Sequence, residues 1–278
     1  MFPHSGRGTS VKGVQEGKTM AFGPDSRSFV SPAAENAAGS VDMGLRAYML
    51  RVYNWMASGL VLTGLVAYLI ANTGLQALFF QHVVAPSGMV AIRPTGLAML
   101  AMIAPLGFVM VMSFGVNRLS TQAVQTLFWL FCGVMGASLS NIFMVFTGVS
   151  VTRVFFITAA TFCTMSIWGY TTRTDLSRFG SFFMMGLFGL VIAGVVNMFL
   201  ASPGLYFVYS AVGVLLFVGL TMFDTQRIKA TYQQFAYYEG PDQAAKRSVY
   251  DALNLYLNFI NLFQFLLQFM GVRNSSND

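Results

Sequence analysis

The chain alternates between long stretches without an acidic or basic residue and short stretches that carry nearly all the charge. After Arg51 the next formal charge is Arg93, and later charge-free runs cover 94–117, 119–152, 154–172, 179–223 and 252–272. A helix crosses a bilayer with about 20 apolar residues, so these runs are of spanning length. None alternates with a period of two, which excludes a spanning β-barrel. The first run holds one helix and then a loop containing His82 and Pro86. The run 179–223 is too long for one span and divides at the turn signal Ala201-Ser202-Pro203-Gly204. The pattern therefore predicts seven helices, near 52–72, 96–115, 121–145, 151–171, 179–199, 205–227 and 252–272. The polar stretch 228–250 reads as the longest loop on its side. Residues 1–40, rich in Gly, Ser, Pro and Ala, read as a mobile tail ahead of a transmembrane domain at 41–273, with 274–278 as a C-terminal tail. At 41–51 the text VDMGLRAYMLR predicts a short amphipathic helix lying on the membrane surface.

Composition narrows the class. Only 9% of the 278 residues are charged and 55% are hydrophobic, whereas a soluble domain is about 25% charged. That balance excludes a soluble globular enzyme, a disordered chain and a disulfide scaffold, and predicts an all-α polytopic membrane protein. The net charge of +6 would suggest nucleic acid in a soluble protein; here it reads as loop bias, and no nucleic-acid partner is expected. With the N-terminus in the cytoplasm, nine basic residues (Arg46, Arg51, Arg118, Arg173, Arg178, Arg227, Lys229, Lys246, Arg247) face inward, and Arg93, Arg153 and Arg273 face outward. The positive-inside rule then favours N-in, C-out. A re-entrant seventh segment, which returns the C-terminus to the cytoplasm, is the alternative. Both cysteines, Cys132 and Cys163, lie in apolar runs and read as buried, inert thiols. No cleavable signal peptide is expected, because no apolar core precedes residue 50.

Enzyme motifs are missing from this pattern. The two histidines, His4 and His82, fall in the tail and a loop, so neither a two-histidine metal motif nor a Ser-His pair is available in the membrane. No cofactor is expected. The helical glycines Gly59, Gly64, Gly133, Gly136, Gly186, Gly189, Gly194 and Gly213 read as close helix-packing points. Burying charge in hydrocarbon is expensive, so intramembrane ionisable residues carry the information. Of ten acids, Glu16, Asp25, Glu35 and Asp42 are in the tail, Asp175, Glu239 and Asp242 in loops, and Asp278 is terminal. Asp251 reads as the acidic residue at the foot of the last helix. That leaves Asp224, in GLTMFDTQRIK, either as an interfacial carboxylate paired with Arg227 one turn later or as an ion or proton site. Arg118, at the end of the second helix, and Asn258, in the last, sit at comparable depth. Three helices are thus expected to bring an acid, a base and an amide together.

At these residues the sequence resembles the transmembrane Bax inhibitor motif family. The resemblance rests on MFDTQRIK, on DALNLYLNFINLFQFLLQFMG and, for the bacterial branch, on VYNWMASGLVLTGLVA, and it covers about residues 45–273. It implies six helices around a central, hydrophobic seventh, and a pH-sensitive calcium leak through a cell inner membrane. Eukaryotic members suppress cell death, and some bacterial members associate with a membrane-bound ATP-dependent protease. In the family, two aspartates share a proton. One matches Asp224; the other lies in LYLDFINLF, which reads LYLNFINLF here, so Asn258 replaces it. An arginine that latches the closed state is matched by Arg118.

The replacement has a physical consequence. Two close carboxylates can share one proton, whereas an amide bears no second charge and only exchanges hydrogen bonds. Fewer charged ligands also weaken a calcium site. The expectation is a seven-helix protein with an Asp224–Arg118 latch, a weak and transient calcium site at Asp224, and a blunted proton response. A non-conducting regulator that binds a membrane protease, with the tail as its binding element, is the alternative. An intramembrane enzyme is not expected.

Overall fold

The computed structural model describes residues 32–84, 90–235 and 238–274. Nearly all are helical: α1 Pro32–Asn72, α2 Gln76–Phe79, α3 Gly96–Gly115, α4 Thr121–Leu139, α5 Ile142–Val145, α6 Gly148–Thr171, α7 Gly180–Leu200, α8 Pro203–Phe235 and α9 Pro241–Met270. Among the described residues, seven helices are long and apolar enough to cross a membrane; α2 and α5 are single turns. Between α2 and α3 an antiparallel pair, β1 Phe80–Val84 and β2 Val90–Pro94, occupies what reads from the sequence as a plain loop. Residues 1–31 of the expected 1–40 tail and residues 275–278 of the expected 274–278 tail lie outside the described residues.

Local chemistry sets the helix ends. The Thr95, Ser120 and Thr147 side chains accept from the backbone N–H of Ala98, Ala123 and Ser150, and so cap α3, α4 and α6. At the Ala201–Gly204 turn, Ala201 takes a left-handed φ of 46° that stops α7. Two residues on, Pro203 opens α8, where its missing N–H costs nothing. Gly240-Pro241 starts α9 in the same way.

Three boundaries differ from the expectation. Residues 43–51 are not a helix lying on the membrane surface: they are turns of α1, with Leu45, Tyr48 and Met49 in the core. Helix α8 runs on to Phe235 rather than 227, and α9 begins at Pro241 rather than 252. Charge spacing marks where the apolar segment meets water, not where a helix ends, and the Lys, Gln, Ala and Arg of 228–250 are good helix formers. The described part of the stretch expected to be the longest loop is therefore mostly the ends of two helices, with a turn at residue 238 ahead of α9.

Helix α9 is the centre of the bundle. In its spanning window 61% of residues are buried, against 11% for α7 at the periphery. Tyr256 is fully buried edge-to-face against Phe128 and Phe131 of α4, and its hydroxyl shares a 2.7 Å hydrogen bond with Thr63 of α1. Phe259 meets Phe155 and Phe162 of α6, while Phe265 stacks on Phe217 of α8. Helix α9 crosses the whole bundle and does not turn back. It starts beside α4, where the Thr121 hydroxyl donates to Asp242 O, and it ends where Thr147 N donates to Val272 O.

Close approaches occur at Gly59, Gly136, Gly186 and Gly213, where an added Cβ would collide with a neighbouring helix. Gly136 packs against the Thr63 carbonyl, 2.7 Å from where its Cβ would lie. Gly64, Gly133 and Gly189 instead face open space, so they are not the packing points their position suggests. Cys132 is buried, but Cys163 is exposed on the outer face of α6, contrary to its reading as a buried thiol.

Candidate functional site

Asp224 points inward because of the register of α8. The buried residues of that helix recur as Ser210, Gly213, Phe217, Leu220, Asp224 and Ile228, spaced three or four apart on one face. Polar ties to α6 and the following turn fix that face. Ser166 and Thr225 share a hydroxyl contact of 3.2 Å, and Lys229 Nζ donates to Tyr170 O at 2.8 Å. Gln226 both donates to Thr174 O and accepts from Leu176 N, each at 2.8 Å. Gly169 lets α6 come against the Met222 carbonyl, where any side chain would overlap it. Thus α8 is held on one side so that its carboxylate meets α9 on the other.

Both oxygens of Asp224 are engaged. Oδ1 lies 2.9 Å from the Arg227 guanidinium, and Oδ2 accepts from Asn258 Nδ2 at 2.6 Å. The Asp224 side chain is 10% exposed and that of Arg227 47%, so the cation reaches solvent while the anion does not. The Arg227 head also lies 6.0 Å from the Phe223 ring. A cleft of about 280 Å³ between α7, α8 and α9 opens onto Asp224, Arg227 and Asn258.

The acid and the amide are therefore together, but the expected base is not. Arg118 sits in the exposed turn after α3, and among the described residues no carboxylate pairs with it. The cation at Asp224 is Arg227, the neighbour one helical turn along. The reason is geometric: an i,i+3 partner is placed by the helix itself, whereas α3 ends at Gly115, three residues short of Arg118, and leaves that side chain in solvent.

Asp251 is the second correction. It is not at the foot of its helix but ten residues beyond Pro241, and the Tyr48 hydroxyl of α1 donates to its Oδ2 at 2.6 Å. Tyr48 in turn packs on Tyr232 of α8, with ring centroids 4.8 Å apart. Two turns of α9, about 10 Å at 1.5 Å per residue, separate Asp251 from Asn258. The bundle thus holds two acids at depth, each tied to a different helix. The signal for Asp251 was present in the sequence: Gly240-Pro241 is a helix start, and a seven-residue spacing puts Asp251 on the face of Asn258. Nearer the turn, Glu239 pairs with Arg247, whose guanidinium covers the Phe235 ring at 4.7 Å. Beyond the spanning segments, Asp175 is fully exposed; hydrogen bonds from the Ser177 hydroxyl and N–H hold its carboxyl below the ordinary value. Among the described residues, no three His, Cys, Asp or Glu side chains gather as a metal site would need.

A central helix wrapped by others, with a paired carboxylate at membrane depth, defines a polytopic α-helical membrane protein built around a buried ionic contact. The chain belongs to the Bax inhibitor family: the family described as "Inhibitor of apoptosis-promoting Bax1" matches residues 45–275. It is 39% identical over 251 residues to the inner membrane protein YbhL of Escherichia coli K12, covering 90% of this chain and 98% of that protein. An uncharacterized protein of Caulobacter vibrioides is 44% identical over 240 residues, covering 86% and 93%. The protein RP147 of Rickettsia prowazekii is 43% identical over 234 residues, covering 84% and 92%.

Proposed function

We propose that this protein is a cation leak of the inner membrane, passing calcium weakly through a site at Asp224. The observation that carries the reading is the Asp224 carboxylate, buried at membrane depth, opening on a cleft and neutralised by an arginine with one foot in solvent. An acid kept inside a helix bundle is a costly feature that marks ion or proton pathways. A passing cation competes with Arg227 for Oδ1 and displaces it toward water. Protonation of Asp224 frees Arg227 in the same way, so Arg227 takes the latch role first expected of Arg118. Asn258 holds the other oxygen as a neutral donor, which leaves one charge to meet the cation. Hard divalent ions need several oxygen ligands, so calcium binds weakly and in passing, and the response to protons is blunted. The inner-membrane assignment is supported by the YbhL relative, and the cytoplasmic placement of the N-terminus and the α8–α9 turn by the excess of basic residues at that end.

Calcium flux into vesicles reconstituted with the full chain, measured against pH, tests this. Native protein is expected to leak slowly with a shallow pH dependence. Asn258→Asp is expected to steepen that dependence, and Asp224→Asn to abolish it. A response in the native chain as steep as in Asn258→Asp overturns the single-carboxylate switch. Absence of flux in every variant favours the second reading, a non-conducting regulator that binds a membrane partner such as a protease; the double occupation of Asp224 is the observation on its side.

A further inference from the structure

The central helix is not uniformly hydrophobic. Asp251, Asn254, Asn258, Asn261, Gln264 and Gln268 recur along α9 at intervals of three or four residues, which places all six within one side of the helix. Their side of α9 is also its least covered. Asp251, Asn254, Asn261, Gln264 and Gln268 are half-buried, whereas the residues between them, apart from Leu257, are buried. Among the described residues, the side chains of Asn254, Asn261 and Gln264 make no hydrogen bond to protein, and none of their polar atoms is sealed from solvent. An amide at membrane depth that bonds neither protein nor water is costly, so unpartnered amides there point to a water-filled space.

Two clefts supply that space. The first, of about 280 Å³, reaches from the α8–α9 end along Asn254, Asn258 and Asn261. The second, of about 300 Å³, reaches from the opposite end along Gln264 and Gln268, with Tyr206 and Arg273 at its mouth. Three residues of α9 separate Asn261 from Gln264, about 4.5 Å of helix. In the line of the stripe at this level stands one apolar side chain, Phe265. It stacks on Phe217 of α8 with ring centroids 5.6 Å apart and planes 24° apart, and lies in the space left by Gly213.

We infer that the amide face of α9 is a water-filled track across the membrane for small hydrated cations, interrupted by a septum one turn thick at the Phe217–Phe265 stack. The inference rests on the leak reading for what the track carries, but not for the track itself. The five amide side chains along the two clefts offer oxygen atoms to a cation in place of its water, and Asp224 supplies negative charge near one end. Arg273 at the other mouth is drawn aside, its guanidinium 5.6 Å from the Tyr206 ring and donating to that hydroxyl at 3.3 Å.

Single cysteines test the track in the full chain, with Cys132→Ala and Cys163→Ser as background. Asn254→Cys and Asn261→Cys are expected to react with a charged, membrane-impermeant methanethiosulfonate applied from the α8–α9 side of the vesicle. Gln264→Cys and Gln268→Cys are expected to react from the opposite side. Val191→Cys, exposed on the lipid face of α7, should stay unlabelled. If Asn261→Cys and Gln264→Cys react no faster than Val191→Cys, the track is overturned. Phe265→Ala is expected to raise calcium flux roughly tenfold, equivalent to removing about 1.4 kcal/mol of barrier. Phe265→Leu, which keeps the site filled, should leave flux near the native value and keeps the septum testable if the alanine variant fails to fold. Equal flux in folded Phe265→Ala and native protein overturns the septum. Labelling from both sides with no flux in any variant upholds the water-filled track and overturns the leak reading instead.

Discussion

Replacing Arg227 with Gln isolates the ionic contact on which the functional reading depends. The guanidinium and Asp224 Oδ1 are 2.9 Å apart. With an effective dielectric constant of about 20, two unit charges at that separation attract by roughly 5–6 kcal/mol before desolvation is counted. Two measured regimes bracket the net value. Breaking a buried pair costs about 3–5 kcal/mol because an uncompensated charge stays inside, whereas an exposed pair contributes about 0–1 kcal/mol. Here the anion is buried and the cation is half in water, and Asn258 still donates to the other oxygen. The expected cost of Arg227→Gln is therefore intermediate, about 2 kcal/mol. Thermal unfolding of the micelle-solubilised protein should fall by about 4–8 °C, at about 2–4 °C per kcal/mol for a chain of this size class.

The decisive measurement is the double-mutant cycle with Asp224→Asn. With a neutral amide at 224 there is no anion to strand, so Arg227→Gln should then cost about 0.5 kcal/mol or less, as surface substitutions do. The coupling needs an ionised carboxylate. Acidification that protonates Asp224 should therefore erase the difference between native and Arg227→Gln protein. If Arg227→Gln costs as much with Asn at 224 as with Asp, the arginine acts through packing on Phe223, and the latch proposed above fails. A parallel Arg118→Gln variant should be neutral in both backgrounds. A coupling of that residue to Asp224 would restore the partner first expected from the sequence.

Further expectations concern packing and the loops. Gly169→Val forces a side chain into the Met222 carbonyl and should destabilise by at least about 1–3 kcal/mol, the usual cost of overpacking, whereas Gly64→Ala faces open space and should leave the melting temperature unchanged. Tyr48→Phe removes the donor to Asp251 and should cost about 1–3 kcal/mol, the range for hydrogen bonds to charged groups and for stranded buried acceptors; an unchanged melting temperature refutes that bond. For Asp175 the pKa is depressed in the folded state, so its small stabilising effect is present above the unfolded value of about 3.9 and is lost as pH falls through the folded value. Asp175→Asn should thus lower stability slightly at neutral pH and not at all well below pH 3.9, read by the same melting assay.

How much of this was legible in the sequence depends on which property was being read. Hydropathy and charge spacing follow the membrane, and they located all seven spans because hydrocarbon excludes charge whatever the helices do outside it. Those signals are silent about a helix that continues into water. That is why α8 and α9 are longer than expected and why 43–51 belongs to α1 rather than to a surface segment. The β1–β2 pair is not legible in the sequence because five-residue strands paired only with each other leave little periodic trace in a loop.

The site divides along the same line. Asp224 and Asn258 were legible because each is a polar residue where hydrocarbon should be, and their meeting needs only that α8 pack on α9. Arg118 matches the site by depth and by its likeness to a family pattern, but depth does not say which way a side chain turns. Arg227 was in view as an interfacial partner, and the helical spacing that suggested it also places it. The place of Asp251 follows from the start of α9. With the helix begun at 252, an acid at 251 is a cap; with the helix begun at 241, it is a half-buried side chain ten residues in, held by Tyr48. Moving that one boundary adds Asp251 to the polar side that Asn254, Asn258, Asn261, Gln264 and Gln268 form within the expected span. The central helix is amphipathic, its polar side less covered by neighbours than the rest, which is the pattern that the proposed water-filled track requires.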